Sequence, residues 1–163
     1  MLYFAYGSNM SGARLRSRVP SARSLSVARL EAHRLAFHKA GSDGSAKCDA
    51  FFTDTAHHVV IGVVFEINPD EKHHLDKVEG LGFGYDLKSV SLLTGEGTRL
   101  EAFTYYATRI DPQRLPYQWY HEHVLRGALE HQLPDDYVDR IRQVSVQPDP
   151  DPVRHARELS IYG

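Results

Sequence analysis

A chain of 163 residues is long enough for one compact domain with a hydrophobic core of its own. Its 42% apolar and 25% charged residues are ordinary for a globular protein and exclude a fibrous or disordered chain. The net charge of −2 excludes a broad basic surface, so we expect no nucleic-acid partner. No run of about 18 apolar residues occurs, so we expect no membrane partner either.

The sequence contains one cysteine, Cys48, which excludes an internal disulfide and is typical of a reducing compartment. The amino-terminal residues lack the basic segment and the long apolar core of a secretion signal. We therefore expect a cytoplasmic protein. Cys48 lies in a predicted strand with no histidine at a motif spacing, which favours a small buried side chain over a nucleophile.

The first element in the chain is an apolar, aromatic run from Leu2 to Tyr6, which predicts a buried strand. The small residues Gly7–Asn9 end it and leave backbone N–H groups free to bind an anion. A plain strand-to-helix turn, capped by Asn9 or Ser11, explains the same residues equally well.

A short helix with Ser11 as its cap is predicted from Met10 to Arg18, with its arginines in solvent. Those arginines are Arg14, Arg16 and Arg18. Four predicted strands follow: Leu25–Leu30, Arg34–His38, Cys48–Thr53 and Val59–Ile67. Glycine and serine residues between the second and the third of these predict a flexible loop.

A second helix begins at Asn68, because Pro69 suits a first helical position and Glu71 lies at the capping-box position. We expect this helix to end at Glu79, before Gly80. A carboxylate there faces the negative end of the helix dipole, which favours its protonated form and suits a group that takes and returns a proton. The alternative is an ordinary solvated glutamate in the last turn of a helix.

The second half of the chain begins with a predicted hairpin and continues with helices. Its strands are Phe83–Leu93 and Arg99–Ala107, and its helices begin near Pro116 and Pro134. Strands first and helices late favour an α+β fold with a curved or barrel-like sheet. We expect residues 1–147 to form the domain and residues 148–163 to form a proline- and aspartate-rich linker and a tail that docks on it.

Histidines occur in three close pairs, none of which has zinc-site spacing: His57 with His58, His73 with His74, and His121 with His123. We expect surface histidines and no metal site. Aromatic residues around Tyr117 and Trp119 are expected in the core, although a homodimer surface is the other explanation.

In combination, these motifs resemble the γ-glutamylcyclotransferase family. The family's Tyr-x-Tyr-Gly-Ser-Asn pattern is similar to Tyr3–Asn9, and its Glu-Gly pair with a tyrosine shortly after is similar to Glu79-Gly80 and Tyr85. The resemblance extends to three further segments: Val27–Leu30, Pro116–Tyr120 and Gly127–Pro134. It implies an α+β fold with a curved mixed sheet or a partly open β-barrel flanked by helices. The loop after Glu79 is one residue shorter, and richer in glycine, than in the animal enzymes.

The resemblance implies an enzyme that cleaves a γ-glutamyl amide by internal attack of the substrate's α-amine. The products would be 5-oxoproline and an amino acid or amine, within glutathione metabolism and without a cofactor. Glu79 would be the catalytic residue. The residues implied to bind the small-molecule γ-glutamyl substrate are Tyr3, Phe4, Ala5, Tyr6, Gly7, Ser8, Asn9, Tyr85 and Tyr120.

Three other functions are compatible with these residues. One is a cyclotransferase for γ-glutamylamines, or one that removes a γ-glutamyl protecting group in a biosynthetic pathway. Another is a non-catalytic domain of the same fold that binds a small molecule. A third is a phosphate-binding turn, which would require basic residues facing the site.

Overall fold

The computed structural model describes residues 1–163, which form seven strands and five α-helices. The strands are β1 (Leu2–Ala5), β2 (Arg23–Glu31), β3 (His33–Ala40), β4 (Ala46–Phe52), β5 (Val59–Glu66), β6 (Tyr85–Thr94) and β7 (Arg99–Ala107). The helices are α1 (Gly12–Arg18), α2 (Lys72–Glu79), α3 (Gln118–Glu130), α4 (Asp135–Arg142) and α5 (Pro152–Leu159). None of the helices has the length and apolar character that crossing a bilayer requires.

Five strands close into a barrel in the order β1-β5-β2-β6-β7, and β3 and β4 form a separate ribbon. The barrel is a mixed sheet, because β1 pairs antiparallel with β5 and parallel with β7. This confirms the predicted α+β fold with a barrel-like mixed sheet, and the barrel is closed. The closed sheet has no edge strand, so it exposes no unpaired backbone groups that could pair with another chain.

Gly62 in β5 lets the first strand lie close to its neighbour. A Cβ atom at this position would clash with the carbonyl oxygen of Ala5 and would lie 2.8 Å from the Phe4 ring. Phe4 and Ala5 are fully buried in the core, and Thr104 donates to the carbonyl of Phe4 at 2.8 Å. β1 is therefore fixed from both sides, and the turn that follows it leaves the barrel at a defined point.

The sequence predicts the carboxyl-terminal end of α2 correctly, whereas its amino-terminal end differs from the prediction. Gly80 ends the helix with a left-handed φ of 70°, as predicted, whereas Asn68 accepts from Asp70 N at 3.0 Å and so caps a 3₁₀ turn, Pro69–Glu71, that precedes α2. The predicted capping box is wrong, because the Glu71 carboxylate accepts from Ser21 instead. The backbone N–H of Asn68 donates to Ser21 Oγ at 2.8 Å.

Ser11 caps helix α1, as predicted, but the arginines of the helix do not all lie in solvent. Arg14 is buried and Arg18 is mostly buried, whereas Arg16 is exposed. The prediction is wrong for the first two because carboxylates from distant parts of the chain pair with them. Glu158 lies 2.8 Å from Arg14, and Glu79 lies 3.3 Å from Arg18.

Helix α3 packs directly on the segment between β1 and α1. A Cβ atom at Gly127 would lie 2.5 Å from Met10 Cβ, so glycine permits this close approach. Tyr117 and Trp119 are buried in the core rather than on a dimer surface, and Cys48 is buried as expected. The expectation of surface histidines is wrong for His123, which is fully buried and lies 2.6 Å from the Tyr162 hydroxyl.

The carboxyl-terminal residues contact the rest of the chain through buried polar groups. Asp149 accepts from Trp119 Nε1 at 2.7 Å and from two nitrogens of Arg154 at 2.6 Å. Tyr162 donates to Ser11 Oγ at 2.9 Å. The division of the chain at residue 147 stays a prediction.

Candidate active site

A small cavity, open to solvent, lies where β1 ends and its turn meets α2 and α3. The structure brings eight of the residues singled out from the sequence to its wall: Tyr3, Tyr6, Gly7, Ser8, Asn9, Glu79, Tyr85 and Tyr120. Phe4 and Ala5 do not line the cavity, and both are buried in the hydrophobic core. Segments that are about 70 residues apart in the sequence therefore meet in one small space.

The turn presents a free hydrogen-bond donor to this cavity. The backbone N–H of Gly7 donates to no other group in the chain, whereas its carbonyl accepts from Met10 N at 3.0 Å. A side chain at Gly7 would lie 2.9 Å from Cys48 Cβ and 3.3 Å from the Tyr120 hydroxyl. Glycine thus allows the turn to contact β4 and α3 closely while one N–H stays available for a ligand.

Hydrogen bonds to one carboxylate oxygen, Oε1, hold the Glu79 side chain in place. Oε1 accepts from Asn9 Nδ2 at 2.7 Å and from Arg18 Nη1 at 3.3 Å. Oε2 accepts no hydrogen bond from the protein, and the side chain is 15% exposed. The carboxylate is therefore oriented by one oxygen, and the other is available to a bound molecule.

Asn9 connects this carboxylate to the strand. Its amide donates to the Tyr3 hydroxyl at 3.0 Å as well as to Glu79, and its Oδ1 accepts from Arg18 at 2.9 Å. All hydrogen-bonding groups of the Asn9 side chain are thus used within the protein. Ser8 is connected in a similar way, because its hydroxyl accepts from Arg14 Nε at 3.1 Å.

Five buried tyrosines form much of the cavity wall, and burial raises the pKa of each above its ordinary value: Tyr3, Tyr6, Tyr85, Tyr105 and Tyr120. They therefore stay neutral at physiological pH. Tyr6 donates to the carbonyl of Tyr105 at 2.6 Å, and Tyr85 donates to the carbonyl of Cys48 at 2.5 Å. Tyr120 accepts from Cys48 N at 2.9 Å, which leaves its own proton available to a ligand.

Three residues of the site were not predicted to belong to it. Cys48 and Tyr105 line the cavity, and Arg18 holds Glu79. For Cys48 and Tyr105, the only sequence signal is the alternation of apolar and polar residues along their strands. This alternation does not distinguish a residue in a cavity wall from one in the core. Arg18 carried no signal, because a basic residue in the last turn of a helix is ordinarily solvated.

The charges around the cavity do not favour phosphate. Arg14 and Arg18 each pair with a carboxylate, and Lys47 pairs with Asp43 at 2.8 Å. A free carboxylate oxygen of Glu79 in the same space would repel a dianion. No group of three or more histidine, cysteine, aspartate or glutamate side chains is close enough together to bind a metal ion.

Comparisons with known proteins agree with this geometry. The model of the AIG2-like family matches residues 59–141. The human γ-glutamylcyclotransferase is 31% identical over 147 residues, which cover 88% of this chain and 78% of the human protein. The bovine γ-glutamylcyclotransferase is 33% identical with the same coverage.

Solved structures give the same result for the fold. A structure described as a γ-glutamyl cyclotransferase superposes with a TM-score of 0.84 at 28% identity, covering 92% of this chain and 90% of the other. A human protein described as uncharacterized superposes with a TM-score of 0.82 at 30% identity, covering 90% of this chain and 88% of the other. The chain belongs to the γ-glutamylcyclotransferase family.

Proposed function

We propose that this protein is a γ-glutamylcyclotransferase, in which the α-amine of a γ-glutamyl amide attacks the γ-carbonyl carbon of the same molecule. One carbon–nitrogen bond forms and closes the ring of 5-oxoproline, and the other breaks and releases an amino acid or amine. The proton lost by the attacking nitrogen ends on the departing nitrogen, so neither water nor a cofactor is required. The free oxygen of Glu79, in one cavity with the unpaired N–H of Gly7, carries this proposal.

Glu79 is the group that moves the proton. A carboxylate can take the proton from the attacking amine and return it to the leaving nitrogen, and such positioned proton transfer contributes about 10²–10⁴-fold in rate. Arg18 and Asn9 hold Oε1 of Glu79 in place. Oε2 can therefore reach the attacking and the leaving nitrogen of the substrate without a change of side-chain rotamer. Tyr3 supports Asn9 and thereby acts as a positioning residue.

The turn stabilises the negative charge on the glutamyl part of the substrate. The Gly7 N–H and the Tyr120 hydroxyl are the donors available for the oxyanion or the α-carboxylate. Folding the substrate so that its amine meets its carbonyl makes the attack intramolecular, an effect that contributes roughly 7–11 kcal/mol in well-oriented systems. Tyr6 and Tyr85 form the walls that keep the folded substrate in place.

The first test is Glu79→Gln, assayed for 5-oxoproline with γ-glutamyl-alanine as the substrate. We expect the variant to fold and to lose about 100-fold or more in kcat, because the amide cannot carry the proton. Glu96→Gln, in the exposed hairpin turn, is the matched control and is expected to keep full activity. Full turnover by a folded Glu79→Gln protein would remove Glu79 from the mechanism.

The second test blocks the nucleophile on the substrate. N-acetyl-γ-glutamyl-alanine lacks a free amine, so we expect no 5-oxoproline and no released alanine from it. A hydrolase would still release alanine, because water would replace the amine. Release of alanine would therefore place the protein in a different reaction class.

A non-catalytic binding domain is the less favoured function. Glu79 is held by Asn9 and Arg18, and a degenerate site has no need to keep a carboxylate in a defined orientation. We further propose a cytoplasmic location, which the single buried Cys48 supports. A place in glutathione metabolism and a homodimer stay predictions, which turnover of glutathione and sedimentation velocity test.

A further inference from the structure

Glu79 also lines a second and wider cleft next to this cavity. The end of α2 and the loop after it form one side of the cleft, and the end of β3 and the segment after β7 form the other. Four cations line this cleft against the single carboxylate of Glu79: Lys39, Lys77, Arg109 and Arg114. The substrate part that lies beside Glu79 but outside the inner cavity therefore meets a strongly positive surface.

Three of these cations have no carboxylate partner in the protein. Lys39, Lys77 and Arg109 make no salt bridge and donate no side-chain hydrogen bond, whereas Arg114 pairs with Asp111 at 3.2 Å and donates to the carbonyl of Gly41 at 2.9 Å. The cations nearer the turn are all paired, as shown above for Arg14, Arg18 and Lys47. The outer cleft thus differs from the inner cavity by its uncompensated positive charge.

Lys39 is held in position over the site. Its Nζ lies 4.6 Å from the centroid of the Tyr85 ring, and a Cβ atom at Gly84 would lie 2.9 Å from the same nitrogen. The backbone N–H of Ala40, the residue after Lys39, donates to the carbonyl of Arg109 at 2.9 Å. Lys39 and Arg109 therefore lie on neighbouring segments of the backbone. Lys39 is half-buried, so its charge is less screened than that of a solvated lysine.

We propose that this cleft binds the leaving group of the substrate, and that the preferred leaving group carries two or more carboxylates. Such a group is an acidic amino acid or a short acidic peptide, and Lys39 and Arg109 bind its carboxylates. The inference rests on the proposed function, since only a γ-glutamyl amide held against Glu79 extends into the cleft. A leaving group that carries an ammonium, as in a γ-glutamyl link to a lysine side chain, is repelled by the same cations.

The test compares three substrates that share the glutamyl half: γ-glutamyl-glutamate, γ-glutamyl-alanine and γ-glutamyl-propylamine. We expect kcat/KM for 5-oxoproline formation to fall in that order, with at least about tenfold between the first and the last. The selectivity is expected to fall as NaCl rises from about 0.05 to about 0.5 M, because exposed charges are screened.

The variant K39Q/R109Q is expected to lower the ratio of kcat/KM for γ-glutamyl-glutamate to that for γ-glutamyl-propylamine by about tenfold, a loss that corresponds to about 1.4 kcal/mol. Arg99→Gln is the matched control, because Arg99 is an exposed cation at the opposite end of β7. Its ratio is expected to equal that of the parent protein. A ratio near one in the parent, or an unchanged ratio in K39Q/R109Q, would overturn the inference.

A binding measurement separates this inference from the proposed function. Calorimetric titration of the Glu79→Gln protein with γ-glutamyl-glutamate and γ-glutamyl-alanine measures recognition without turnover. Tighter binding of the first supports a basic cleft that binds an acidic leaving group, even if no substrate yields 5-oxoproline, which would contradict only the proposed function. Equal dissociation constants would contradict the inference that the cleft binds an acidic leaving group, even if turnover is efficient.

Discussion

Gly7 is the residue at which the turn of the site contacts both the ribbon and α3. We expect Gly7→Ala to lower the free energy of unfolding by about 1–3 kcal/mol, because the added methyl group overpacks the contact with Cys48 and Tyr120. The shift of the turn also displaces the free N–H, so kcat is expected to fall. Chemical denaturation and the 5-oxoproline assay measure the two effects.

The matched control for this change is Gly95→Ala in the hairpin turn. Gly95 has no neighbour within 4 Å of an added Cβ and has no left-handed φ. Alanine there is expected to be neutral or to stabilise by about 0.4–1 kcal/mol, through the unfolded chain. Equal effects of the two substitutions would show that the contact at Gly7 has no special role.

Residue by residue, the sequence predicts the parts of the site that obey local rules. Glu79 lies in the last turn of α2 because the left-handed Gly80 ends the helix. This helix end can be predicted from a few neighbouring residues. Arg18 is different, because its position depends on Glu79, which is 61 residues away. Phe4 and Ala5 share a motif with cavity residues, yet both are buried in the core and neither lines the cavity.

Among the elements, α5 is the one that connects the carboxyl-terminal segment to the turn. Glu158 lies 2.8 Å from Arg14, which in turn donates to Ser8 at 3.1 Å. The His123 imidazole, 3.6 Å away, and the Arg14 guanidinium lower the pKa of Glu158 from 4.5 to about 2. Because the pKa is lowered in the folded state, the ionised form stabilises the fold above pH 4.5, and this stabilisation is lost as the pH falls toward 2.

We therefore expect Glu158→Gln to lower the free energy of unfolding by about 1–3 kcal/mol at pH 7. The difference between the variant and the parent is expected to shrink between pH 4.5 and pH 2, where the parent loses the ionised carboxylate. Urea denaturation at a series of pH values measures it, with Glu101→Gln on the exposed face of β7 as the control. A difference that does not change with pH would indicate that packing, not charge, connects α5 to Arg14.

Strand and helix positions were predicted well, because hydrophobic alternation and proline or glycine punctuation are local signals. Closure of the barrel was not predictable to the same degree. It depends on the parallel pairing of Tyr3 with Phe103, which are 100 residues apart, and no local pattern records that pairing. The capping box failed for a similar reason, since Ser21 competes for Glu71 from another part of the chain.

At the scale of the whole molecule, the barrel and the ribbon differ in how their backbones are protected. β5 pairs with strands on both sides and is buried along most of its length, whereas β3 and β4 pair mainly with each other. We expect amide hydrogen exchange to be slowest in residues 59–66 and faster in residues 33–40, because local opening starts where fewer apolar contacts are lost. Equal protection in the two segments would indicate that barrel and ribbon open as one unit.

The unequal hydrogen bonding of the two Glu79 oxygens has a consequence for the path of the proton. Oε1 is occupied by Asn9 and Arg18, so in the proposed mechanism the carboxylate would not need to rotate between taking a proton and returning it. In the cyclotransferase reaction, both nitrogens are bonded to the same tetrahedral carbon and must then lie on the one side that Oε2 faces. Under the proposed mechanism, the site would thus select one face of the γ-carbonyl, and it would impose this choice on a substrate carbon that is not itself a stereocentre.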